Sequence, residues 1–405
     1  MSNSYGVGND NKLNAIVFEG GQYNGEISRW MSLIREEMAI NLCAKLHNSQ
    51  EFEKIIFCTN RVELASKVAT RVPEIIIHIF SDGEEQEKFH FGKRLYEVIK
   101  EHKLNSFIYL SGGSGQLMDV DDIRYFSFTT LHAYEKGQSS TQRYIVANNA
   151  HSADMFGILD TSHIFNLNEG FPETDNEFVM WYSLNFDADI VTLPSEMAFQ
   201  FDVDTPIDSL IMSINSKSAI SIETILSFCE NQRLSEAIKD AYLKINMANY
   251  VMNKPGSEFS IIGRVPPHSV LYLNSILRCR TRVFSEERGM RSLRRDINGE
   301  TKSILASYIN RCGIRNFVSD FSEITQLAFI DTRVLFNSLG CMLSEEERFA
   351  SDLFMTEYVK NKVACELIGE FKASSCNFIC GGHCLVSWGV RTIALYRQVH
   401  NGIIF

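Results

Sequence analysis

The stretch NAIVFEGGQYNGEISRW, Asn14 to Trp30, runs an apolar segment into a glycine pair and then into a helical pattern. Ala15, Ile16, Val17 and Phe18 read as a strand, Gly20 and Gly21 as its turn, and the apolar spacing of Ile27–His47 as the helix that follows. A strand that delivers a glycine turn to a helix suits phosphate binding, because the turn frees backbone amides and the helix start carries partial positive charge. Between the glycines and Arg29 the only charged side chain is Glu26. A phosphate here would rest on amides rather than on a cation.

Outward from this turn, short apolar runs alternate with longer amphipathic ones. Ala15–Phe18, Lys54–Thr59, Glu74–Phe80, Ser106–Leu110, Arg143–Ala147 and Ile190–Leu193 read as strands; Ile27–His47, Arg61–Thr70 and Phe91–Glu101 read as helices. Strand–helix alternation predicts an α/β fold with a mostly parallel sheet and right-handed crossovers. Residues 216–252 look helical up to the Pro-Gly breaker in NKPGSE. Alternation then restarts: FSIIGRV, RTRVFSE, QLAFIDTR and SCNFICGGH as strands, HSVLYLNSILR as a helix, a long helix from Glu345 and a final one after His383. The expected organisation is a flexible tail at 1–12, a first domain at 13–215, a helical connector at 216–258 and a second α/β domain at 259–405. No internal repeat or low-complexity tract interrupts it.

At 405 residues the chain exceeds what one core usually supports, so two domains are the natural expectation. Its net charge of −11 argues against a general nucleic-acid binder or an anionic-membrane binder, both of which need a basic surface. Ten cysteines are too sparse for a disulfide scaffold, and the polar, glycine-rich start MSNSYGVGNDNK carries no signal-peptide pattern. No apolar run is long enough to span a bilayer. The expected address is the cytoplasm with reduced thiols, and a homodimer is the base-rate oligomer.

Two further stretches of the first half carry chemistry. IYLSGGSGQL (Ile108–Leu117) runs a second strand into Gly112, Gly113 and Gly115, and FQFDVDTPIDSL (Phe199–Leu210) sets Asp202, Asp204 and Asp208 around a Thr-Pro turn. In this order the three motifs resemble nucleotidyltransferases of the molybdenum-cofactor guanylyltransferase type, whose fold GT-A glycosyltransferases share. The resemblance covers residues 13–215. It implies a glycine loop around a nucleoside triphosphate, a central strand ending at a magnesium-binding aspartate, and an Asp-x-Asp-Thr-Pro segment that adds a metal contact and caps a helix. It thereby implies Gly20, Gly21, Gly112, Gly113 and Gly115 as nucleotide-binding residues, and Asp202 and Asp204 as ligands of Mg2+. The first loop lacks the arginine and the downstream lysine that the family uses on the phosphates, with Glu26 and Arg29 nearby instead, and the central strand ends SGGSG with no aspartate before Asp119. From the residues alone, Asp208 also reads as an acid of the helix start, and Asp202–Thr205 as an Asx-type turn.

In the second half, RVFSEERGMRSLRR places Glu286, Glu287 and Arg288 after a strand, FIDTR ends another with Asp331 and Arg333, and NFICGGHCLVSWG ends a third at Gly381-Gly382-His383. Ligands of open α/β sheets bind at the carboxyl ends of strands. Glu286, Arg288, Asp331, Arg333 and His383 are therefore the candidate catalytic set, with Glu286 or His383 as general base on an anionic metabolite. SEEERFASD reads as a helix start with a capping box at Ser344 and a surface pair, Arg348–Asp352. Cys376, Cys380, His383 and Cys384 lack a second ligand knuckle, so zinc is not expected.

Three functions fit this pattern. The first is an enzyme of nucleotidyltransferase type acting on a nucleoside triphosphate or nucleotide-activated small molecule, with a second anionic-ligand site. The second is a glycosyltransferase-like nucleotide-sugar binder. The third is a catalytically inactive scaffold or regulatory subunit.

Overall fold

The computed structural model describes residues 12–21, 23–80, 89–133, 142–167, 169–290 and 293–396, so the tail expected at 1–12 lies outside it except for Lys12. By its contacts the chain forms two compact units: Met1–Gly21, Ala39–Gly112 and Met118–Ser195 in the first, and Gln22–Met38, Gly113–Leu117 and Glu196–Phe405 in the second.

The first unit is built on strands β1 (Leu13–Phe18), β2 (Phe52–Thr59), β3 (Ile76–Ile79), β4 (Phe107–Ser111), β5 (Arg143–Ala147), β6 (Met155–Ile158) and β7 (Ala188–Thr192). They form one sheet in the order β3-β2-β1-β4-β6-β5-β7. All neighbours run parallel except β6, which is antiparallel to both β4 and β5. β1 lies between β2 and β4 and is buried along its whole length, which is why its sequence is apolar without alternation. One face packs an aromatic core in which Phe156 stacks on Tyr109 and Phe178 at centroid distances of 4.8 and 4.6 Å. The six strands read from the sequence are all present, with ends shifted by a residue or two. β6 was not expected, because its four residues, MFGI, sit in what reads as a loop after Val146.

The second unit holds β8 (Glu258–Gly263), β9 (Arg280–Ser285), β10 (Leu327–Asp331) and β11 (Asn377–Gly381), all parallel in the order β11-β10-β8-β9. The helix Pro206–Ser213 buries Ile207, Leu210 and Ile211 in this unit's core, together with Ile238 and Ile245 of the helix Gln232–Asn253. The Asp-Thr-Pro segment, read with residues 13–215, thus belongs by its contacts to the second unit. The long helix expected from Glu345 is two helices, Glu345–Asp352 and Lys362–Ala373. Between them Phe354 adopts φ 56°, a left-handed conformation that ends any helix.

Candidate functional site

In the first unit the glycine turns are closed by the chain's own side chains. A Cβ on Gly20 would lie 2.5 Å from Asn60 Oδ1, and the Gly21 amide donates to that oxygen at 3.0 Å. Gly21 has φ 121°, which only glycine adopts freely. At Gly112 a Cβ would sit 2.2 Å from Oε2 of the buried Glu19. These glycines therefore accommodate Asn60 and Glu19 whether or not a ligand approaches.

In the second unit the start of the helix Glu26–Ser49 is the place where a phosphate would be received. Its free amides are already used: Ile27 N donates to Glu346 Oε1 at 2.9 Å and Ser28 N to Glu346 Oε2 at 2.8 Å. A carboxylate bridging two amides at a helix start has the geometry of a bound oxyanion. Glu26, in the first turn, accepts from Tyr358 Oη at 2.9 Å and from Asn231. The acid near the place where the resemblance puts a cation is thus tied into the packing of this unit.

The metal candidates sit in the turn before the helix Pro206–Ser213. Thr205 is its N-cap, and Asp208 completes the reciprocal box: Thr205 Oγ1 donates to Asp208 Oδ2 at 2.7 Å and Thr205 N to the same oxygen at 3.0 Å. Asp208 is fully buried, and burial pushes its carboxyl up to about 8, so it holds its proton at neutral pH. The capping acid read from the sequence is present, but as a neutral group rather than a charge on the helix dipole. Asp202 faces Gly113, whose Cβ would lie 2.9 Å from Asp202 Oδ1. Asp204 is 74% exposed, 4.0 Å from Arg35 Nη1. With Asp208 protonated, the three acids make no three-ligand cage, and among the described residues they form no such cluster. Asp202 and Asp204 fit the one or two carboxylates that magnesium takes when phosphate oxygens supply the rest.

The same turn packs on the end of β11. A Cβ on Gly382 would lie 3.0 Å from Thr205 Cγ2, and Asp204 is near enough to act on His383 electrostatically. Here the strand ends come together. Arg264, just past β8, grips the buried Asp331 at the end of β10 with two bonds, Nε to Oδ2 at 2.6 Å and Nη2 to Oδ1 at 3.1 Å. Gly263 makes this possible, because its φ is 116° and a Cβ there would meet Asp331 Cβ at 2.5 Å. Burial, with Arg264 and Arg288 adding to it, lowers His383 to about 4 and leaves its ring neutral at physiological pH. Arg288, after β9, is exposed and lies near Arg264; it has no acceptor among the described residues.

The remaining candidates have other duties. Glu286 accepts from Ser303 Oγ at 2.8 Å and from Leu305 N, holding the start of the helix Ile304–Cys312. Arg333 spends both terminal nitrogens on Asp352, at 2.7 and 3.2 Å. Asp352 is fully buried, so the expected surface placement of its pair with Arg348 is a correction: the acid bonds Arg333 in the interior, and Arg348 acts on it electrostatically as well. Burial pushes the Cys376 thiol up to about 12 and raises Cys380 and Cys384 as well, leaving all three protonated. Sequence reasoning missed Arg264 and Glu346. Arg264 lay inside the run read as a strand, and Glu346 in an ordinary acidic helix start, 319 positions from the amide it caps.

No family model matches the chain, and no curated protein matches it. Among solved structures, it is similar to a cytidylyltransferase from Leptospira borgpetersenii at 14% identity, covering 55% of this chain and 98% of that one, TM-score 0.37. It is also similar to 4-diphosphocytidyl-2C-methyl-D-erythritol synthase from Anaerococcus prevotii at 12% identity, over 49% and 93% of the two chains, TM-score 0.33. A nucleotidyl transferase from Methanothermobacter thermautotrophicus aligns at 10% identity over 57% and 99%, TM-score 0.32.

Proposed function

We propose that this chain is a nucleotidyltransferase-like protein that binds a nucleoside triphosphate or nucleotide-activated small molecule, and that its second unit takes an anionic group at the ends of β8, β9, β10 and β11. The guanylyltransferase type is the member of that class its Asp-Thr-Pro turn most resembles. One observation carries the reading: Arg288 stands exposed beside Arg264 and His383, without an acceptor among the described residues, at the carboxyl ends of the strands, where α/β proteins bind ligands. Arg264 is held by Asp331, and a preorganised guanidinium loses little entropy on meeting phosphate or carboxylate. Arg288 supplies the exposed second charge. His383, neutral, accepts a hydrogen bond from the ligand. Asp204 with Asp202 would hold magnesium, which when bound neutralises charge on transferring phosphates.

A thermal-shift panel of nucleoside triphosphates and nucleotide sugars, with and without Mg2+, tests this. Stabilisation is expected, with affinity reduced about tenfold in Arg288→Ala at unchanged melting temperature, and the magnesium-dependent part lost in Asp204→Ala. Preference for nucleotide sugars would favour the glycosyltransferase-like form. No stabilisation by any of these ligands would overturn the reading.

A second reading, a catalytically silent subunit with this fold, is favoured by Glu346, which already fills the helix start with a carboxylate. It predicts no nucleotide response from the full chain.

A further inference from the structure

We propose that the first unit carries a transition-metal site made by His78, Glu101 and His102. His78 lies on the edge strand β3, and Glu101 and His102 form the end of the helix Phe91–His102. His78 Nδ1 is 3.2 Å from His102 Nε2 and 3.7 Å from Glu101 Oε2, and the three ligand atoms all lie within 4.8 Å of one another.

Two donor atoms bound to one tetrahedral zinc ion at ordinary bond lengths lie about 3.3 Å apart. The spacings of 3.2 and 3.7 Å lie either side of that value, and the third is within 4.8 Å, so a shared cation fits between the three atoms. Hydrogen bonding alone leaves the arrangement unbalanced. His78 Nδ1 carries either one proton or one lone pair. If it accepts from His102, it has no proton to give the carboxylate; if it donates, only one of its two neighbours receives the proton. A divalent cation at the centre satisfies all three atoms. Two imidazoles and one carboxylate are the protein ligands of a familiar zinc arrangement that leaves a further position for water.

The surroundings fit a site of moderate affinity. His78 is buried, with its ring edge-on to Phe80 at 5.0 Å, so one ligand is preorganised. Glu101 is 66% exposed, which gives the ion a way in. The end of a helix favours positive charge. Lys54 opposes it, although its ammonium is turned to the His102 carbonyl at 3.1 Å. Bound metal would pin β3 to the helix, so the unit should melt higher when loaded.

The test is calorimetric titration of the tag-free, metal-stripped full chain with Zn2+ and Co2+, paired with melting curves. We expect one equivalent bound, a melting temperature raised by about 5 °C at saturation, and visible absorption from tetrahedral Co2+. Glu101→Gln and His102→Gln each change a side chain at the surface rim and should cut affinity at least about tenfold, while His151→Gln on an exposed loop should not. Binding that survives both ligand variants would place the metal on other histidines and overturn the proposal. Absence of binding by the unmodified chain would overturn it as well.

Discussion

At the start of the helix Glu26–Ser49, the two oxygens of Glu346 occupy the amides of Ile27 and Ser28 as phosphate oxygens would. Replacing Glu346 with alanine removes a cap worth about 1 kcal/mol and exposes those amides. Triphosphate affinity measured by calorimetry should then rise. Unchanged affinity would mean that no phosphate reaches this helix. Arg333 tests a different role. Its partner Asp352 is fully buried, so Arg333→Ala leaves that carboxyl short of two hydrogen bonds and should lower unfolding free energy in urea by about 1–3 kcal/mol. Arg288→Ala, with its exposed side chain, should leave stability nearly unchanged. Both arginines look alike in the sequence; burial separates a strut from a ligand-binding candidate.

Among the elements, capping was the most legible feature. The box at Ser344 and Glu347 was read from SEEE and is present, with Ser344 Oγ donating to Glu347 at 2.9 Å. The box at Thr205 and Asp208 has the same local pattern but a different cost of loss, because Thr205 is buried. Thr205→Val keeps the shape while leaving the Asp208 oxygens short of a donor, and should cost about 1–3 kcal/mol, against about 1 kcal/mol for Ser344→Ala. Chemical denaturation of the two variants side by side checks this; equal losses would remove the case for a buried network. β6 and the break at Phe354 were illegible because each depends on what the chain packs against. A four-residue strand acquires its ladder from β4 and β5, and the left-handed Phe354 lies in a stretch whose composition reads as continuous helix.

For the whole molecule, the buried Asp208 and the partly buried His383 shape the dependence of stability on pH. Asp208 keeps its proton to about 8 when folded against an ordinary 3.8, so stability falls as pH rises from near 4 through 8. His383 stays neutral down to about 4 against an ordinary 6.5, so stability falls as pH drops from 6.5 towards 4. Below 6.5 the His383 slope opposes that of Asp208, joined by His102, His163 and His268, which burial also lowers, and from 6.5 to 8 the Asp208 slope remains. Melting temperatures across this range should therefore decline above 6.5 in the native chain and flatten in Asp208→Asn; His383→Gln should lose less stability than the native chain as pH drops from 6.5 towards 4. A native profile that rises from 6.5 to 8 would contradict the buried, protonated Asp208. The sequence by itself determined the α/β class, six of the seven strands of the first sheet and the capping box at Ser344. Those features rest on periodicity, caps and glycine geometry, which act between neighbours along the chain. Only the tertiary structure decided that Arg264 holds Asp331, that Arg333 turns inward to Asp352, that Glu346 fills the helix start, and that His78 meets Glu101 and His102. Each of those partnerships joins residues distant in sequence, and burial, not local pattern, sets which charges must find a partner.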